Sequence, residues 1–120
     1  MIVIITGINS WEDYSLFHEK LDALLSKVSQ YRQITITNTA RPGVETIGLL
    51  YAEEKGYQYN IVPCTPEDDP LVCADRVIET ARSTNDLVVA IIFAGSDDAI
   101  SNHYTTACEA LGIVCKRISV

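Results

Sequence analysis

Three observations in the 120-residue sequence predict an α/β fold, with helices on both faces of a parallel sheet of about five strands. Short apolar runs rich in β-branched residues alternate with segments whose apolar positions follow a helical period. The runs are continuous rather than alternating, as expected of strands covered on both faces. Glycine, proline or a capping residue stands at the junctions between them.

The first strand is residues 2–6, five β-branched residues stopped by Gly7. A helix follows whose apolar positions Tyr14, Phe17, Leu21, Leu24, Leu25 and Val28 keep the 3.6-residue period. Ser10 is its expected N-cap, with Glu12 and Asp13 in the first turn. Residues 33–37 form the second strand, and after a polar loop a helix spans 44–55, closed by Gly56. Residues 59–63 make the third strand. Residues 65–70 carry helix-start chemistry and lead into a helix with the stripe Ala74, Val77, Ile78 and Ala81. The most hydrophobic strand, 86–93, ends at Ala94-Gly95-Ser96, where Asp97 and Asp98 open a last helix running to about Leu111. Residues 113–118 close the sheet.

Strict strand–helix alternation implies a three-layer, doubly wound, Rossmann-like sheet of order 3-2-1-4-5. In such sheets a ligand lies outside the carboxyl ends of the strands where the order reverses, here between the first and fourth. The loops at 7–10 and 95–98 flank that point, with 38–43 beside them.

The length suits one domain. A composition of 48% hydrophobic and 21% charged residues excludes a disordered chain. A net charge of −7 argues against nucleic acid as a partner, although a few arginines and backbone amides can still set a local field for a small anion. Cys64, Cys73, Cys108 and Cys115 form no CxxC pair and sit among apolar residues. They are expected to be reduced, small core residues of a cytoplasmic chain. The amino-terminal apolar run is too short for a signal or a membrane span. No Cys/His pair has a metal spacing, and neither a metal nor a cofactor is expected.

Gly7-Ile8-Asn9-Ser10 places backbone amides where an anion or a base edge could meet them, or else forms an ordinary turn capped by serine. Asn38-Thr39-Ala40-Arg41-Pro42-Gly43 gathers an amide, a hydroxyl, a guanidinium and a glycine. Arg41 is its first choice for a phosphate or carboxylate, against the alternative of a solvated surface arginine. In Gly95-Ser96-Asp97-Asp98 the carboxylates suit ribose hydroxyls, an amine or a divalent cation, or plain helix capping. His18 and His103 read as packed or edge residues, and Trp11 as a base-stacking platform or a cover for the first helix.

Together these segments resemble the SLOG superfamily, most closely its small YspA-related branch. Thr6-Gly7-Ile8-Asn9 stands for the first motif, residues 38–45 for the second and Arg76 for an arginine on the third helix. Asn85-Asp86 precedes the fourth strand, and Gly95-Ser96-Asp97-Asp98-Ala99 stands for the last turn. The branch's Gly-Gly pair is here Asn38-Thr39, its first-motif arginine is missing, and the lonely-guy catalytic pattern is absent.

The resemblance implies a non-enzymatic binder of a nucleotide-like molecule: a nucleoside phosphate, ADP-ribose or a cyclic relative. Its site residues would be Gly7, Asn9, Ser10, Asn38, Thr39, Arg41, Gly43, Arg76, Gly95, Ser96 and Asp97. A free-standing copy could sequester a signal, as a phage antagonist of defence would. The alternatives are a nucleoside N-glycosidic hydrolase using Glu45, Asp97 or Asp98 as acid/base, and an interaction module with a vestigial pocket. Relatives pair through helices, so a homo-oligomer is expected, with the apolar stretch 51–59 as its hint.

Overall fold

A computed structural model describes residues 1–11 and 13–120. Five strands, β1 (Ile2–Gly7), β2 (Thr35–Asn38), β3 (Gln58–Ile61), β4 (Val88–Phe93) and β5 (Val114–Ile118), form one all-parallel sheet of order β3-β2-β1-β4-β5. Four α-helices connect them: α1 (Tyr14–Leu25), α2 (Val44–Lys55), α3 (Pro70–Arg82) and α4 (Ala99–Ala110). A single 3-10 turn, Val28–Gln30, follows α1.

The order explains the burial of each strand. β1 lies at the centre, pairing Ile2 with both Thr35 and Val88, and is buried at every residue. Fully burying each of Ile4 and Ile5 contributes about 2–3 kcal/mol. β3 is an edge strand and all four of its residues are exposed, so its apolar run does not signal two-sided cover. Within 51–59, Tyr51 is buried with its hydroxyl on Asp22 (2.6 Å), whereas Tyr59 is half-exposed. The stretch is thus an inner helix face followed by an edge, not one continuous apolar patch.

Each sheet face carries two helices. α1 and α2 cover one through Phe17, Leu21, Leu25, Val44, Tyr51 and Ala52. α3 and α4 cover the other through the expected stripe Ala74, Val77, Ile78 and Ala81, joined by Tyr104 and Cys108.

α1 starts later than its sequence suggests. Its N-cap is Asp13, whose carboxylate accepts from Leu16 N, while Ser10 stays in an exposed turn. Trp11, just after that turn, stacks on Phe93 (5.3 Å between ring centroids). Trp11 therefore covers the helix start. The first-turn role expected of Glu12 lies outside the described residues.

Asp98 is the N-cap of α4. Its carboxylate accepts from Ile100 N, Ser101 N and the Ser101 hydroxyl. Asp98→Ala should cost about 1–2 kcal/mol of stability, read as a lowered Tm, with no effect on ligand affinity.

Two of the four cysteines are not free. Cys64 and Cys73 are joined in a disulfide, and Cys108 and Cys115 are free thiols. Burial pushes the Cys108 thiol up to about 11, so it is an inert core residue as expected. The bonded pair corrects the expectation of four reduced core cysteines. They lie nine residues apart, on either side of a helix start, a spacing with no recognisable signature.

Candidate functional site

The β2–α2 loop is built around a buried carboxylate. Asn38, at the end of β2, is fully buried, with its amide donating to Ile5 O (2.9 Å) and Glu45 O (3.0 Å). Its Oδ1 accepts from Ala40 N (2.9 Å), which fixes Ala40 in a left-handed conformation, φ 61°. Glu45, the second residue of α2, is 2% exposed. Its Oε1 accepts from Thr39 N (2.8 Å), the Thr39 hydroxyl (2.7 Å) and Arg41 N (3.4 Å). Its Oε2 accepts from the Thr6 hydroxyl (2.9 Å) and lies 3.5 Å from Arg41 Nε.

Arg41 turns inward toward the end of β1. Its Nη2 donates to Gly7 O at 2.7 Å. Nε is buried with no hydrogen-bond partner among the described residues, held to Glu45 by charge alone. Gly43 closes the loop at φ 94°, where an added Cβ would lie 2.4 Å from Ile8 O. Gly7 is equally confined, with Phe93 O 2.2 Å from where its Cβ would stand. These two glycines let the loops after β1, β2 and β4 touch backbone to backbone.

A cleft of about 310 Å³ opens beside this loop. Thr39, Ala40, Arg41, Pro42 and Glu45 form one wall. The β3–α3 loop, with the Cys64–Cys73 disulfide and Asp68, forms the second, and Ile100 and Tyr104 of α4 the third. It sits at the carboxyl end of the sheet, as the topology requires, but on the β2–β3 side of the expected β1–β4 crevice. At that crevice Trp11 packs on Phe93, Arg41 spans to Gly7, and Ile8 O accepts from Val44 N (3.1 Å).

Of the residues expected to bind, Thr39 and Arg41 line the cleft. Asn38 lies behind its wall with both amide ends engaged, and Gly7 and Gly43 shape it from beneath. Arg76 braces the neighbouring loop through Pro63 O (3.0 Å) and Asp68 (3.4 Å). Asn9 and Ser10 are exposed in the β1–α1 turn, away from the cleft. Gly95 gives its carbonyl to Arg117, and Ser96 and Asp97 are exposed beyond the β4 end. His18 sits between Asp22 (3.1 Å) and Glu54 (3.3 Å), and His103 on Asp75 (2.7 Å), both at helix edges outside the cleft.

Of the lining residues that sequence reasoning missed, among them Pro42, Pro66, Asp68 and Ile100, Tyr104 is the aromatic one with a hydroxyl to offer. It is 1% exposed and lines the cleft from α4. Burial, reinforced by the Glu45 carboxylate, holds its phenol protonated far above the ordinary range, so the hydroxyl keeps its proton and its capacity to donate. Cys64, Asp68 and Cys73 bring their ligand atoms within 4.8 Å of one another, but the two sulfurs are bonded together. As bonded, the group presents a carboxylate and no thiolate.

The signature of the YspA, cpYpsA-related SLOG family matches residues 1–68, which carry β1, the Glu45 cradle and the β3–α3 loop. The chain belongs to this family. No curated protein matches it. Among SLOG sequences, the Gly-Gly turn after the second strand is replaced here by Asn38-Thr39, whose side chains serve the buried Glu45. The amides of residues 39–41, which could otherwise meet a bound anion, donate to Glu45 and Asn38. The polar groups this SLOG chain brings to the cleft are the Tyr104 hydroxyl, Arg41 Nη1, the lone pairs of Thr39 Oγ1, the Thr65 hydroxyl and the Asp68 carboxylate, whose Oδ2 is held by Thr65 N and Arg76.

Proposed function

We propose that this SLOG domain binds a nucleotide-derived small molecule without turning it over, either sensing or sequestering it. The reading is carried by the cleft itself, which combines apolar walls with a buried phenol donor and one end of an arginine fork. A cavity of about 310 Å³ is at the small end of ligand sites, suiting a nucleoside or mononucleotide better than ADP-ribose. The base lies among Pro42, Pro66 and Ile100 with the Tyr104 hydroxyl donating to a ring nitrogen or carbonyl, and Arg41 Nη1 meets a ribose or a single phosphate.

The hydrolytic alternative needs a carboxylate free to exchange a proton near the sugar. Glu45 has both oxygens engaged, Asp98 caps α4, and Asp97 is not among the residues that line the cleft. Binding is accordingly the better-supported role. A cytoplasmic setting and sequestration of a defence signal by a mobile element remain part of this proposal.

Thermal unfolding in the presence of AMP, GMP and ADP-ribose tests it. Saturation at about 100 times Kd should stabilise the protein by about 2.7 kcal/mol, a shift of several degrees. Tyr104→Phe should weaken mononucleotide binding roughly fivefold while leaving the unliganded Tm unchanged. A flat response across the panel, supported by native mass spectrometry without adducts, would overturn the reading.

A further inference from the structure

We propose that the Cys64–Cys73 disulfide is a thiol–disulfide exchange site that sets the rigidity of the cleft wall, with a small dithiol as its reductant. The consequence for ligand affinity rests on the binding role above; the exchange itself does not. Three observations carry it. The disulfide lines the cleft, and it bridges the loop after β3 to the first turns of α3. Cys64 is partly accessible while Cys73 is 2% exposed, which makes Cys64 the sulfur open to attack. The loop has other anchors: Thr65 N donates to Asp68 (2.8 Å), Arg76 holds Pro63 O and Asp68, and Asp69 caps α3 through Leu71 N (2.9 Å). Opening the bond therefore loosens this wall without unfolding it.

The chemistry balances. A dithiol thiolate attacks Cys64 Sγ, the S–S bond breaks, and its electron pair leaves on Cys73 Sγ. That sulfur belongs to the first turn of α3, where the helix dipole favours a thiolate. Arg76 offsets the charge of the neighbouring Asp68. The second thiol of the reductant then attacks the mixed disulfide, releasing the Cys64 thiolate and a cyclic disulfide. In total two electrons and two protons pass from the dithiol to the two cysteines. Reoxidation reverses each step.

The test equilibrates the folded protein in reduced and oxidised dithiothreitol at graded ratios, traps thiols with iodoacetamide and maps them by peptide mass. Cys64 and Cys73 should convert together, while buried Cys108 stays unlabelled. Amide hydrogen exchange in residues 64–73 should rise about tenfold on reduction, and the Cys64→Ser/Cys73→Ser protein should reproduce that faster exchange in any buffer. Cysteines that never bond, a bond that survives excess dithiol in the folded protein, or identical exchange in the two states would each overturn the proposal. AMP binding is measured on both states. Loss of affinity on reduction supports the coupling. Absence of AMP binding in both states, with the exchange difference intact, removes the binding role and leaves the exchange site standing.

Discussion

Glu45→Ala is expected to lower the unfolding free energy by about 3–5 kcal/mol, measured by urea denaturation at neutral pH. The carboxylate is 2% exposed and takes hydrogen bonds from Thr6, Thr39 and Arg41 N while facing the Arg41 guanidinium. Removing it strands those donors and leaves a largely buried cation whose Nε already lacks a hydrogen bond. The same logic predicts recovery. Adding Arg41→Met to Glu45→Ala removes the orphaned charge, so the double variant should be more stable than the single one by about 1–2 kcal/mol. A loss below about 1 kcal/mol for Glu45→Ala would show that the cradle relaxes around the gap and does not organise the loop. A surface helix-start glutamate would cost no more than that.

Gly43→Ala is the second large effect. At φ 94° and ψ −131° the backbone is in a region that side chains with a Cβ rarely adopt, and the new methyl would meet Ile8 O at 2.4 Å and Asn9 Cα at 2.6 Å. Backbone atoms cannot swing aside as a side chain can, so strain and collision add, for a loss of about 2–5 kcal/mol. Gly56→Ala is the control. Gly56 is also left-handed, φ 74°, but its Cβ would stand in open space, and about 1 kcal/mol is expected there. Equal losses at the two positions would refute the claim that loop contact, rather than φ alone, demands glycine at 43.

The strand order and the α2 limits were legible because they follow from local pattern: continuous apolar runs, a helical period, and glycines on either side of residues 44–55. The start of the first helix was not, since Ser10 and Asp13 are both good caps and local pattern does not choose between them, while Trp11 finds its place on Phe93, a contact distant in sequence. The site was harder for the same reason. Asn38 and Thr39 look like loop chemistry facing outward, and Glu45 like an ordinary complement to a helix dipole. Their inward convergence depends on Thr6 of β1 standing beneath them. A usable signal was present in Asn-Thr closing a buried strand, with a glutamate six or seven residues on. Tyr104 gave none, because its place in the cleft is decided by how α4 crosses toward α3, and the Cys64–Cys73 bond gave none, because thiol pairing is a matter of proximity in space.

A side chain anchored to its own helix competes with dissolved molecules at an effective concentration that no free metabolite reaches. The Thr39 and Arg41 amides and the Thr6 and Thr39 hydroxyls are thus already taken by a guest the protein carries with it, and a triphosphate arriving from solution would have to evict that tethered rival. Selectivity in this molecule should run toward sparsely charged visitors.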